Sequence, residues 1–309
     1  MKSVRIGTRG SALARWQAEF VRAGLGRHGV AAELIIIRTS GDRDRQSSLR
    51  VIGGKGVFTK ELEDALLEER IDVAVHSMKD MPTSLPAGLE IAAICEREDV
   101  RDVLISRGGL KLDQLPSGAS IGTSSLRRQA QLRHYRGDLQ MVDMRGNVDT
   151  RLTKLTQGDY DAIVLAKAGL DRLGKAEQIS EIVPPDICLP AAGQGAIGIE
   201  TRKRGDEIAA AVRKLNHRAS QVAVEAERAV LSGLEGGCQV PIGAWARMES
   251  SRLRIDACVL SADGAESIRE SRTGSCEDAM ELGRTVAAAL LERGADRLLR
   301  LMGRGVEHR

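Results

Sequence analysis

Arg5-Ile6-Gly7-Thr8 leads through Arg9 and Gly10 to Ser11 and an amphipathic run that ends at Arg27. A short apolar run, a glycine turn and a capping serine ahead of helical periodicity predict a strand over Val4–Thr8 and a helix over Ser11–Arg27. Leu13, Trp16, Phe20 and Val21 are expected on the apolar face of that helix. The same order returns about one domain later, where Ser120-Ile121-Gly122-Thr123 leads into Ser124, Ser125 and a helical run to Arg136. A second echo accompanies the first: Glu61–Arg70 runs into Ile71-Asp72-Val73-Ala74-Val75, and Arg151–Gln157 runs into Tyr160-Asp161-Ala162-Ile163-Val164. Two related lobes would produce both echoes; so would chance, because Ile-Gly-Thr is short. Related lobes would face each other across a cleft, with helix N-termini directed into it.

Outward from these stretches, strands are expected at Leu34–Arg38, Ile71–His76, Leu139–Met144 and Tyr160–Ala166, and helices at Thr59–Arg70, Asn147–Gln157 and Ala168–Leu173. That alternation belongs to α/β domains with mainly parallel sheets covered by helices. After a helix at Ala219–Leu231 the pattern changes to three alternating strands, Ile242–Met248, Arg252–Leu260 and Glu266–Thr273, closed by helices at Cys276–Glu292 and Ala295–Met302. This is a small C-terminal α+β domain. The polar stretch from Thr39 to Gly56, ending in Gly53-Gly54-Lys55-Gly56, reads as a functional lid or a disordered loop.

Composition narrows the ligand. The 309 residues have a mean hydropathy of −0.20, 42% hydrophobic and 29% charged residues, which describes a globular chain and not a membrane or disordered one. There are 36 Arg against 10 Lys. The planar guanidinium fork suits carboxylate and phosphate, although a GC-rich coding bias would produce the same excess. The net charge is only +3 and there are six aromatic rings, so a polycationic or stacking nucleic-acid surface is disfavoured and a small or oligomeric anion is favoured. No apolar stretch approaches a membrane span, and the start of the chain lacks a secretory apolar run; a cytoplasmic protein is expected. The five cysteines form no C-x-x-C pair and the five histidines no ligand spacing, so neither a disulfide framework nor a metal site is expected.

Arg9 and Ser11 sit at the first strand-to-helix turn, and Ser124, Ser125, Arg127 and Arg128 at the second, where free backbone N–H groups favour an anion. An ordinary serine N-cap reads the same way. Arg145-Gly146 follows a strand; Arg151 and Arg172 could add to an arginine lining. His76-Ser77-Met78-Lys79-Asp80-Met81-Pro82 follows a buried strand directly, the usual location of catalytic groups in such sheets, and Asp80 could act as a general acid or stabilise positive charge. Cys238 lies in Glu235-Gly236-Gly237-Cys238-Gln239-Val240-Pro241, whose glycines and proline argue for a bend that presents the thiol as a nucleophile or covalent anchor.

Taken in order, Ile6–Arg9, Gly53–Gly56, His76–Pro82, Gly122–Gln129, Leu189–Gly198 and Leu234–Gly243 closely resemble the porphobilinogen deaminase family, nearly end to end. The resemblance implies a transferase that joins four porphobilinogen units head to tail with loss of ammonia and releases hydroxymethylbilane, a linear tetrapyrrole, by hydrolysis. It implies a dipyrromethane cofactor held by a thioether to Cys238, with Lys79, Ser125, Arg127, Arg128, Arg145 and Gly146 around it. Asp80 matches the catalytic carboxylate, expected to hold pyrrole N–H groups and stabilise the cationic azafulvene left by ammonia. Arg9, Ser11, Arg151, Arg172, Gln194 and Lys55 match substrate-binding positions. The implied architecture is α/β, two lobes like type II periplasmic binding proteins with mixed, mainly parallel sheets, plus the small C-terminal α+β domain: residues 1–95 with 196–215, residues 96–195, and residues 216–309. A monomer without nucleic-acid or membrane partners is expected. One departure is visible: a lysine found in the family four residues before Lys55 is replaced here by Val51, preceded by Arg50. A solute-binding protein using the same cleft is the alternative of another class, disfavoured by the lack of a secretion signal and by the Gly-Gly-Cys loop.

Overall fold

The computed structural model describes residues 3–39, 59–203, 205–234 and 240–304. It divides into two compact units, Met1–Glu98 with Gly195–Gln221, and Asp99–Gln194 with Val222–Arg309.

The first unit contains β1 (Val4–Thr8), α1 (Ala12–Arg27), β2 (Ala32–Ile36), α2 (Lys60–Leu67), β3 (Val73–Ser77) and β4 (Leu89–Ile94), and, numbered in chain order, β10 (Ile197–Arg202) and α6 (Glu207–Arg213). Its sheet has the order β2-β1-β3-β10-β4. β1 is parallel to β2 and β3, whereas β10 runs antiparallel to both β3 and β4. One core joins Val21 and Leu25 of α1 to Val73, Val75, Ile197 and Ile199; another puts Leu62, Leu66 and Ile71 against Ala74 and Leu89. Burying each of these larger aliphatic side chains contributes roughly 1.5–3 kcal/mol.

The second unit holds two sheets. The first has the order β7-β6-β8-β5-β9 and is built from β5 (Asp102–Ser106), β6 (Ser120–Gly122), β7 (Gln140–Val142), β8 (Ala162–Ala166) and β9 (Glu181–Ile182), with α3 (Leu126–Tyr135), α4 (Val148–Gln157) and α5 (Lys167–Arg172). The other is an antiparallel meander of β11 (Ile242–Glu249), β12 (Arg252–Leu260) and β13 (Ser267–Gly274). Its inner face packs on α7 (Arg218–Gly233), α8 (Ala279–Glu292) and α9 (Ala295–Arg304) through Val230, Ala244, Ile255, Val286 and Leu298.

The two five-stranded sheets repeat each other. In each, three parallel strands are followed by one antiparallel strand and a last strand beyond it. The register agrees as well: Ile6 and Gly7 pair with Val73 and Ala74, as Ile121 and Gly122 pair with Ala162 and Ile163. Asp72 accepts the Arg5 backbone N–H at 2.9 Å, and Asp161 accepts that of Ser120 at 2.8 Å. A Cβ on Gly7 would lie 2.2 Å from Ile71, and one on Gly122 would lie 3.0 Å from Tyr160. Glycine in Ile-Gly-Thr makes room in both places for the residue two positions before the third strand, which packs over it.

One expectation is corrected. The buried face of α1 is Ala14, Gln17, Ala18, Val21 and Leu25, while Phe20 is exposed and stacks on Trp16 at 5.6 Å. The expected face holds for Val21 and for Trp16, which packs against the core, but not for Phe20, and Gln17 is admitted to the interior by a 2.8 Å hydrogen bond from its Nε2 to Ser77 Oγ. The antiparallel strands β5 and β10 make both sheets mixed and mainly parallel, as expected, although which strands run backwards is not read from periodicity, because side-chain alternation carries no information on strand direction.

Candidate active site

Chemistry-bearing side chains collect at the ends of the strands in each unit. In the first unit, β3 passes directly into a single 3-10 turn, Met78–Asp80. Met78 is buried beneath it, while Lys79 and Asp80 are half-buried. Asp80 has no hydrogen bond or ion pair with any described residue, which leaves both carboxylate oxygens available to a ligand. At the end of β1, Arg9 is half-buried, and Ser11 is the N-cap of α1, its Oγ accepting the Ala14 N–H at 3.3 Å. Capping spends one lone pair of that hydroxyl and leaves its proton free to be donated.

In the second unit Ser125 caps α3 in the equivalent way, its Oγ accepting the Arg128 N–H at 3.5 Å. Ser124 is occupied with the Met144 backbone, donating to its carbonyl at 2.5 Å and accepting its N–H at 3.2 Å. Arg127 and Arg128 differ from surface arginines: they are 4% and 5% exposed. Both converge on Asp102, a fully buried residue that opens β5. Arg127 Nη1 donates to Asp102 Oδ2 at 2.6 Å, and Arg128 donates to Oδ1 from Nη2 at 2.7 Å and from Nε at 3.0 Å. Gln194 is completely buried and donates from Nε2 to the same Oδ1 at 2.9 Å. Burial alone would raise the Asp102 carboxyl; the charges of Arg127 and Arg128 and their hydrogen bonds outweigh it and hold the group well below the ordinary carboxylate range. Cys188, 3.4 Å from Asp102 Oδ2, is pushed up to about 12 by burial and by that carboxylate, so it is a thiol and not a nucleophile.

Asp102 is the residue that sequence reasoning missed. The available signal was an acid opening the apolar run Val103-Leu104-Ile105, a position that demands a buried cation. Removing it by Asp102→Ala would leave two buried guanidinium groups without their anion, at an expected cost of about 3–5 kcal/mol. Denaturant midpoints measure this, and a loss below about 1 kcal/mol would show that other acceptors suffice. Because the folded-state carboxyl is depressed, this contribution is present above about pH 4 and is lost as pH falls through the lower folded value.

Two arginines of this unit present donors not spent on described residues. Arg127 Nε and Arg145 Nη2 are buried without a hydrogen-bond partner among the described residues. Arg145 is half-buried just after β7, and its guanidinium makes no hydrogen bond with any described residue. Gly146, with φ +118°, follows it; a Cβ there would lie 2.6 Å from Thr150. Arg151 is half-buried and donates from Nε to the Gly146 carbonyl at 2.8 Å, and Arg172 is 8% exposed in the last turn of α5. Buried, unpaired guanidinium N–H groups suit the carboxylates of an anionic ligand. Asp102 thus brings Arg127, Arg128 and Gln194 together, whereas Arg145, Arg151 and Gly146 form a neighbouring stretch around the start of α4. Cys238, Lys55, Arg50 and Val51 lie outside the described residues. Among the described residues no cluster of three His, Cys, Asp or Glu side chains could hold a metal ion, and no helix is long and apolar enough to cross a membrane.

Residues 4–210 match the family model described as porphobilinogen deaminase, dipyromethane cofactor binding domain, and residues 221–292 match the porphobilinogen deaminase C-terminal domain. The chain is 52% identical over 301 residues to a porphobilinogen deaminase from Pelotomaculum thermopropionicum, covering 97% of this chain and 96% of that one. It is 48% identical over 301 residues to the porphobilinogen deaminase of Geotalea uraniireducens, covering 97% of this chain and 94% of the relative. Among solved structures the likeness is looser: the methionine binding protein MetQ gives a TM-score of 0.46 at 12% identity, over 69% of this chain and 89% of that one.

Proposed function

Because the chain belongs to the porphobilinogen deaminase family, and so polymerises porphobilinogen in tetrapyrrole biosynthesis with a dipyrromethane cofactor, we propose a division of labour between its acidic and basic side chains. Asp80 is the catalytic carboxylate; Arg127, Arg128 and Arg145, with Lys79, Ser125 and Gly146, hold the cofactor; Arg9, Ser11, Arg151, Arg172, Gln194 and Lys55 bind the carboxylates of incoming substrate. Cys238 anchors the cofactor through a thioether. The observation that carries the reading is the pair of buried unpartnered donors, Arg127 Nε and Arg145 Nη2, since unsatisfied buried guanidinium N–H groups call for an acceptor. Acetate and propionate side chains supply such acceptors, so the donor set fits the cofactor.

When bound, the dipyrromethane supplies the pyrrole terminus from which the chain is extended. The protein's own work is electrostatic. Loss of ammonia leaves positive charge on the substrate ring, and an ionised Asp80 whose oxygens are not engaged by any described side chain can stabilise that charge and hold the pyrrole N–H. It can also take up the proton lost when the ring aromatises. The arginines carry no proton chemistry. Their fixed charge binds two carboxylates per pyrrole, and Asp102 keeps two of the forks in place before any ligand arrives. A monomeric enzyme working in the cytoplasm completes the proposal.

Arg145→Leu is the cleaner test than Arg127→Leu, because Arg145 neutralises no carboxylate among the described residues. Purified Arg145→Leu should keep its thermal midpoint while kcat/KM for porphobilinogen falls about tenfold or more, the scale of a charged hydrogen bond. Parental kcat/KM would return Arg145 to the status of a surface cation.

A further inference from the structure

The turn that carries Asp80 is only three residues long and has no side-chain cap, so its rigidity must come from elsewhere. β10 supplies part of it. Ser77 pairs with Ile197, and the Met78 N–H donates to the Ala196 carbonyl at 3.0 Å. The Met78 side chain lies over Gly198, where a Cβ would sit 2.1 Å from Sδ. Diagonally across the same pairing, in which His76 stands opposite Gly198 and Glu200 opposite Ala74, His76 Nε2 lies 2.9 Å from Glu200 Oε2, with the two residues 5% and 0% exposed. His76 is the only hydrogen-bond partner of the Glu200 carboxylate among the described residues, and Glu200 Oε1 is buried with none. Glu63 on α2 is also buried and lies within electrostatic reach of both groups. Removing a carboxylate and an imidazole from water is costly, and hydrophobic residues at these positions would pack the sheet without that cost. The pair is worth keeping where direction matters more than stability.

We propose that the His76–Glu200 pair is a positioning device through which β10 fixes the turn bearing Lys79 and Asp80, so that turnover depends on Glu200 although it touches no substrate. The inference rests on Asp80 being the catalytic carboxylate. His76 precedes that turn on the same strand, so a ring free to swing would loosen the strand end beside Ser77, whose Oγ is already held by Gln17 at 2.8 Å. Displacing a reacting group by about 1 Å can cost about a hundredfold in rate.

The full-length holoenzyme is compared with Asp80→Asn, Glu200→Ala, Glu200→Gln and Gly198→Ala by intact mass, thermal midpoint, kcat and KM for porphobilinogen. Glu200→Ala is expected to retain the cofactor mass and a KM within about twofold while kcat falls about tenfold to a hundredfold. Glu200→Gln, whose amide oxygen still accepts the His76 N–H, should recover most of kcat. Gly198→Ala pushes on Met78 from the other side of the same turn and should lower kcat with the cofactor retained, even where Glu200→Ala fails to fold. A kcat within twofold of the parent in Glu200→Ala, equal loss in Glu200→Gln and Glu200→Ala, or, where Glu200→Ala does not fold, an unchanged kcat in Gly198→Ala would each overturn the proposal. Normal turnover by Asp80→Asn would instead remove the reading of Asp80 on which it rests.

Discussion

The purified chain should be heavier than its polypeptide by two pyrrole units, and Cys238→Ser should lose both that excess and all turnover. The remaining cysteines give this expectation its physical weight. Cys95, Cys188 and Cys258 are buried. Burial drives the thiols of Cys188 and Cys258 upward and away from the thiolate form that bonds to carbon. Cys276 is partly exposed ahead of α8 but packs against the core of the C-terminal meander, and it lacks the Gly-Gly pair that directly precedes Cys238. Cys276→Ser is accordingly the control, expected to keep both the added mass and the activity. Because the attachment is covalent, denaturing mass spectrometry reads it directly, independent of folding or affinity. An unmodified Cys238 in a fully active sample would sink the anchor assignment and leave the family activity in need of another primer.

Asp80→Asn should slow turnover by about two to three orders of magnitude while the cofactor mass and thermal midpoint stay near parental values. The substitution is nearly isosteric, and Asp80 makes no ion pair with a described residue, so little stability is at stake. What disappears is a full negative charge beside a centre that becomes positive, together with a base for the departing ring proton. Single-turnover kinetics separates this from slow product release, since the deficit must appear in the first addition of porphobilinogen. Near-parental turnover would exclude Asp80 from the chemistry. Retained turnover with a large rise in KM would make it a binding group only.

Much of the chain was legible in advance for a simple reason: local signals and the tertiary fold agree. Ile-Gly-Thr before a capping serine marks both sheet openings, and the side chains that need the missing Cβ, Ile71 and Tyr160, stand at matching places in the two echoes. Ser11 and Ser125 cap their helices as their residue type suggests. Arg127 and Arg128 were visible as a basic pair, but not their burial, because the partner that makes burial tolerable lies 25 residues earlier for Arg127 and 26 for Arg128. A buried ion pair is a long-range event, and neither periodicity nor capping rules report it. The same limit hid His76 and Glu200, which are 124 residues apart.

Sequence alone determined the family, the alternation of strands and helices, the C-terminal meander, and the residues on which chemistry should be sought. These depend on residue type and short-range order, which the chain carries without folding. Only the tertiary structure decided that β5 and β10 run against their neighbours, that Phe20 faces out while Gln17 faces in, and that two of the arginines answer to Asp102 before they answer to any ligand. Those outcomes depend on which distant groups share one desolvated volume. In such a volume a charge must find its partner, and the fold alone settles which partner is within reach.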